Sequence, residues 1–175
     1  MKKSIITSIL ICQMFTCGTL FSQIEKKDCN DISILTELSI EEKAEIIKSA
    51  KGFVEYNNSK IHEIKIVYCP QTELYFSGNC TFPYDYHIAK QYLGILLYDL
   101  KSKLILKSHS DNLNYKRNPK QNLIRAENVK NIFIFYGIKP ERIEIIDLKD
   151  QYPIDNNKTK MGRENNKYVR MEVTN

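Results

Sequence analysis

The residues with the clearest capacity for chemistry lie in the second half of the chain. SHSD occupies 108–111, RAENV 125–129, YGIKPERI 136–143 and NKTKMGRENNKYV 157–169. Asp111 follows a short strand, and Arg125 falls in the second turn of the next helix. That places a carboxylate and a guanidinium near one end of a sheet, able to face each other across a short loop. By residue type alone they read as a surface ion pair, which contributes little to stability. Nothing in the chain supplies a nucleophile with a base, a zinc triad or paired carboxylates at useful spacing, so an enzyme is not expected. There are three His residues, and no Cys/His spacing suits zinc or calls for a cofactor.

Stepping out from these residues, the elements that must position them follow from periodicity and capping. Ser39-Ile40-Glu41-Glu42 is a capping box. Ile40, Ala44, Ile47, Ala50 and Val54 then recur at helical spacing, which predicts an amphipathic helix over 40–56 ended by Asn57-Asn58. Ile61–Tyr68 reads as a strand, broken at Pro70, and extended structure resumes over 73–76. Pro83 opens a second helix with Ile88, Ala89, Tyr92, Leu93, Leu96 and Leu100 on its apolar face. Lys103–Lys107 is a strand running straight into SHSD.

For the next helix, Asn118 is the expected N-cap, Pro119 the first helical residue and Gln121 the partner in a capping box. Ala126, Val129, Ile132, Phe133 and Tyr136 form its buried face, and Gly137 ends it in a left-handed turn. A strand over 142–146, a polar loop of about 20 residues and an alternating strand over 168–173 complete the order. Strand, helix, strand, helix, strand, strand predicts an α+β two-layer sandwich. Two main helices cover one face of a mixed sheet, and an extra helix precedes them.

Length and charge agree with this. A chain of 175 residues holds one ordinary core. Its 42% apolar and 27% charged content is that of a globular protein. The formal charge is +5, of which Lys2 and Lys3 supply two, leaving about +3 with acids and bases interleaved. That balance argues against nucleic acid as a partner.

Residues 1–22 read as a secretory signal: a basic tip, an apolar stretch, then small residues near Gly18 and Ser22. Ile11 before Cys12 and Thr16 before Cys17 suit a lipoprotein signal poorly. Residues 23–60 form an N-terminal extension, loosely ordered over 23–38 and then helical, and 61–175 form the domain. Export to the periplasm would permit disulfides. Of Cys29, Cys69 and Cys80, the last two flank a turn-containing segment and form the expected pair, worth about 3 kcal/mol as a short loop closure.

The motif fragments, in this order and spacing, resemble the OmpA-like domain that also closes MotB and Pal proteins. Its pattern runs G-H-T-D, N-x-x-L-S-x-x-R-A, G-I-x-x-x-R-I and N-x-T-x-x-G-R-x-x-N-R-R-V. The resemblance covers about 72–173. Pro153, Asn157, Thr159, Gly162, Arg163, Asn166 and Val169 follow the last motif in register.

The resemblance implies a non-catalytic peptidoglycan-binding module of the cell envelope, in the periplasm or associated with the outer membrane. In it, Asp111 and Arg125 would hold the diaminopimelate of the stem peptide. The carboxylate takes the ligand's ammonium, and the planar guanidinium takes its carboxylate through two parallel hydrogen bonds. Asn118 matches the motif Asn. Asn157, Thr159 and Arg163 lie in the long loop beside the site, ordering it or touching the glycopeptide. His109 reads as a packed, hydrogen-bonded residue rather than a base.

The chain departs from the pattern at Ser108 and Ser110, at Gln121-Asn122 for Leu-Ser, and at Asp147 and Lys149 where glycines are expected. Lys167-Tyr168 replaces the paired arginines. The alternative reading is a diverged scaffold or adaptor of the same fold that binds proteins, including an envelope or outer-membrane partner, in place of peptidoglycan.

Overall fold

In a computed structural model, the structure describes residues 35–59 and 72–174, except for the side chains of 52–59. The proposed signal segment, the strand expected over 61–68, Cys29 and Cys69 lie outside the described residues.

The sheet has four strands: β1 (Glu73–Tyr75), β2 (Lys103–Ser108), β3 (Ile143–Asp147) and β4 (Tyr168–Thr174), in the order β1-β4-β2-β3. β4 runs antiparallel to both neighbours, and β2 and β3 are parallel, so the sheet is mixed as expected. Alternation along the strands sends Leu74, Leu104, Leu106, Val169 and Met171 into the core, all at 0% exposure. α2 (Ala89–Tyr98) and α4 (Gln121–Phe135) supply the opposing layer through Leu93, Leu96, Ala126, Val129, Ile132 and Phe133. The α+β sandwich inferred from the sequence is the fold observed.

The capping box forms as written: Ser39 N donates to Glu42 Oε2 at 2.9 Å, and Glu42 N donates to Ser39 Oγ at 3.1 Å. The helix it starts, α1 (Ile40–Ser59), runs past Asn57-Asn58 rather than stopping there. Its buried side agrees with the expected one at Ala50 but not at Ile40. Ile40 is exposed, whereas Ile46 and Ala50 pack against α2 at Gly94, where a Cβ would lie 2.7 Å from the Ile46 carbonyl oxygen. The missing side chain at 94 is what lets the two helices approach. Residues 35–38 are better anchored than the polar composition around them suggests, because Leu35 and Leu38 join the core.

Other boundaries move for local reasons. α2 is preceded by a 3₁₀ turn at Tyr86–Ile88, and it ends before Leu100, which is exposed instead of completing the apolar face. Arg142 belongs to a 3₁₀ turn (Pro140–Arg142), not to β3. Its guanidinium donates to the carbonyls of Leu96, Asp99 and Ser102 at 2.7–2.9 Å, tying the start of β3 to the end of α2.

Two short helices have no counterpart in the expected order. These are α3 (Asn112–Arg117), directly after SHSD, and α5 (Lys160–Asn165), within the polar loop. α3 changes the role of Asn118. It is the C-cap of α3, and Lys120 is the N-cap residue of α4. Gln121 forms no capping box, because its side-chain amide donates to the Asn79 carbonyl at 2.6 Å. Gly137 does adopt the left-handed conformation expected of it, at φ 96°.

Candidate functional site

The site is built where β2 ends. Asp111 has extended backbone and caps α3, its Oδ1 accepting from Leu113 N and Asn114 N, both at 3.0 Å. That fixes the carboxylate and leaves Oδ2 over. Oδ2 is buried, has no hydrogen-bond partner among the described residues, and lies 3.8 Å from Lys167 Nζ. A buried carboxyl oxygen left without a hydrogen bond is costly unless something meets it.

Arg125 is reached from the other side. It projects from the second turn of α4 and is 0% exposed. Its Nε donates to the Cys80 carbonyl and its Nη2 to the Gly78 carbonyl, each at 2.9 Å, and its guanidinium carbon lies 5.2 Å from the centre of the Phe76 ring. Nη1 has no hydrogen-bond partner among the described residues. Burial pulls the Arg125 pKa down to about 10, against the upward pull of Asp111 and Glu164, so the group stays charged at neutral pH. The two parallel bonds expected of its fork are therefore not available in this arrangement. Two nitrogens hold the 78–80 turn, and one remains.

Neither residue makes a surface ion pair, since Asp111 is only 2% exposed. Between them and solvent lies a cleft of about 710 Å³. Asp111, Asn114, Asn118, Arg163, Glu164 and Lys167 lie on its wall, while Arg125 is buried out of contact with it. Lys167 Nζ donates to Glu164 Oε1 at 2.7 Å, and Glu164 Oε2 accepts from Gly78 N at 3.0 Å. Burial pushes the Glu164 carboxyl up, but the bonds from Lys167 and Gly78 outweigh it and the net shift is downward.

Of the other residues singled out in the sequence, Asn118 and Arg163 reach the cleft, and Asn157 and Thr159 do not line it. Those two order the loop instead. Thr159 caps α5, its Oγ1 accepting from Gly162 N at 2.9 Å, and Asn157 Oδ1 accepts from Asn166 Nδ2 at 3.0 Å. Arg163 Nη1 donates to the carbonyls of Asn157 and Lys158, which fixes its stem beside the cleft. Gly162 is required by contact: a Cβ there would fall 2.1 Å from the Asn156 carbonyl oxygen. His109 is packed as expected, stacked on Tyr168 with ring centres 4.2 Å apart and Nδ1 3.3 Å from the Gln151 carbonyl.

Asn114, Arg117, Lys160 and Glu164 also line the cleft without having been marked by the sequence. Asn114 and Arg117 lie on α3, so overlooking that helix meant overlooking them. Glu164 sits between motif residues Arg163 and Asn166, and that position was the available signal. Gln121 and Asn122, which replace a motif Leu-Ser, are both buried, and the Asn122 amide bonds to Asp147. Among the described residues there is no group of three or more His, Cys, Asp or Glu able to hold a metal, and no helix long and apolar enough to cross a membrane.

No known family model matches the sequence, and no curated protein does. Solved structures do. The peptidoglycan-associated lipoprotein of Burkholderia pseudomallei superposes with a TM-score of 0.56 at 15% identity, over 63% of this chain and 98% of that one. The C-terminal domain of Helicobacter pylori MotB gives 0.51 at 16% identity, over 59% and 84%. At such identities the likeness is one of architecture. The chain thus has the fold of these Pal and MotB domains, the OmpA-like sandwich that its motifs resemble.

Proposed function

We propose that this chain is a non-catalytic peptidoglycan-binding module of the cell envelope, holding the diaminopimelate of the stem peptide at Asp111 and Arg125. One observation carries the reading: among the described residues, two buried side chains of opposite charge each keep one atom without a hydrogen-bond partner, Asp111 Oδ2 and Arg125 Nη1. Diaminopimelate bears an ammonium and a carboxylate on one short arm, and such a group would meet both. The motif register and the fold shared with a peptidoglycan-associated lipoprotein support the same reading. Because Arg125 is fully buried, the ligand's carboxylate must enter past the cleft wall to reach Nη1. Asn118 and Arg163 would contact the ligand, and Asn157 and Thr159 would hold the loop. Residues 1–22 would export the chain to the periplasm. Cys80 would pair there with Cys69.

Pull-down with purified sacculi tests the site. Asp111→Asn keeps the cap acceptor and removes the charge, and Arg125→Ala removes the guanidinium. Both should lose retention while their circular dichroism stays native. If wild type and the folded variants are retained equally, the proposed site is wrong.

One observation favours the alternative of an adaptor that has lost the ligand. The Lys167 ammonium already lies 3.8 Å from Asp111 Oδ2, close to where a ligand ammonium would go. On that reading sacculi would not retain the wild type at all.

A further inference from the structure

The charges around the cleft do not balance. Its wall carries the cations Arg117, Lys160, Arg163 and Lys167 and the carboxylates Asp111 and Glu164. Lys167 and Glu164 satisfy each other at 2.7 Å. That leaves Arg117, Lys160 and Arg163 facing a single carboxylate, Asp111. Arg163 bonds two loop carbonyls, which hold it in place without neutralising it. Arg117 and Lys160 are exposed and form no ion pair among the described residues. Arg125 adds a further buried cation close by.

If a ligand ammonium occupies Asp111, every remaining charged group that the wall leaves unpaired is positive. Lys and Arg are hydrogen-bond donors and carry no acceptor, so they can meet a carboxylate but not the N–H side of an amide. Like charges gathered along one concave surface also add their fields there. From this arrangement we infer that the cleft also selects its ligand by carboxylates outside the diaminopimelyl arm, taking stem peptides whose glutamyl α-carboxyl is ionised in preference to the same peptides with that group capped as an amide. The inference rests on the peptidoglycan reading above and adds a discrimination that this reading does not contain.

The test is calorimetric titration of the full chain with the tripeptide L-alanyl-γ-D-glutamyl-diaminopimelate. One form has free carboxyl groups; the other has only the glutamyl α-carboxyl as a primary amide, so the diaminopimelyl arm assigned to Asp111 and Arg125 is the same in both. The amide form should bind about fivefold more weakly, the scale of a rim charge pair or two. The gap should narrow in raised salt and close in the Arg117→Gln/Lys160→Gln double variant. Neither of those residues is in the proposed clamp. Equal binding of the two forms by wild type would overturn the inference and leave the peptidoglycan reading standing, as would a gap that persists undiminished in the double variant. If neither form binds, the underlying reading fails and the inference with it.

Discussion

Lys167 Nζ lies 3.8 Å from Asp111 Oδ2 and both side chains are almost fully buried, so the carboxylate proposed to receive the ligand already has a cation of the chain's own beside it. The ammonium is held back from closer contact by its shorter bond, 2.7 Å, to Glu164. Asp111 Oδ2 thus has a cation nearby but no hydrogen bond among the described residues.

An internal cation competes with an external one. Lys167→Met should therefore tighten binding of the diaminopimelate tripeptide, by about twofold if the pair is worth about 0.4 kcal/mol. It should also cost up to about 1 kcal/mol of stability through the lost Lys167–Glu164 pair. Calorimetric titration measures the first and urea denaturation the second. Weaker binding by a variant that remains folded would mean that Lys167 assists the ligand instead of competing with it.

Lys149 follows β3 at φ 58°, in the left-handed region that side chains with a Cβ resist, and glycine was expected there from the motif. Its amide donates to Asp147 Oδ1 at 2.9 Å, a turn bond that holds it in place. Lys149→Gly should keep that bond and raise stability by about 1 kcal/mol. An unchanged or lowered unfolding midpoint would show that the turn is not strained.

His109 supplies a pH dependence. Burial lowers its pKa from the ordinary 6.5; Arg170 and Lys107 add to this, and the Gln151 carbonyl and Glu73 oppose it. The unfolded chain therefore takes up this proton first as pH falls below about 6.5, and the native state loses stability through that window. Above it the neutral ring costs nothing. His109→Phe keeps a ring against Tyr168 and should flatten the stability difference between about pH 7.5 and about pH 5, measured by urea denaturation at both. An identical difference in wild type and variant would rule His109 out as its source.

How much of this was legible depends on how far apart the interacting residues are in the chain. The α4 face of Ala126, Val129, Ile132 and Phe133, the left-handed Gly137 and the Ser39–Glu42 capping box came through because each rests on neighbours within a few positions, where spacing and residue type determine the outcome. The motif Asp and Arg could be located for the same reason. α3 was missed because its N-cap was read only as a ligand group. Asp111 serves both ends, one oxygen for the helix and one left over.

By itself, then, the sequence determined the order of the four strands and the main helices, the fold they make and the two charged residues near one end of the sheet. Only the tertiary structure decided what those residues have to spare. Arg125 gives two of its nitrogens to the carbonyls of Gly78 and Cys80, and Asp111 meets an ammonium from the start of β4. These partners lie 45 or more positions away in the chain. Hydrogen-bond capacity is shared out by whatever folding brings within reach, and no local pattern records that.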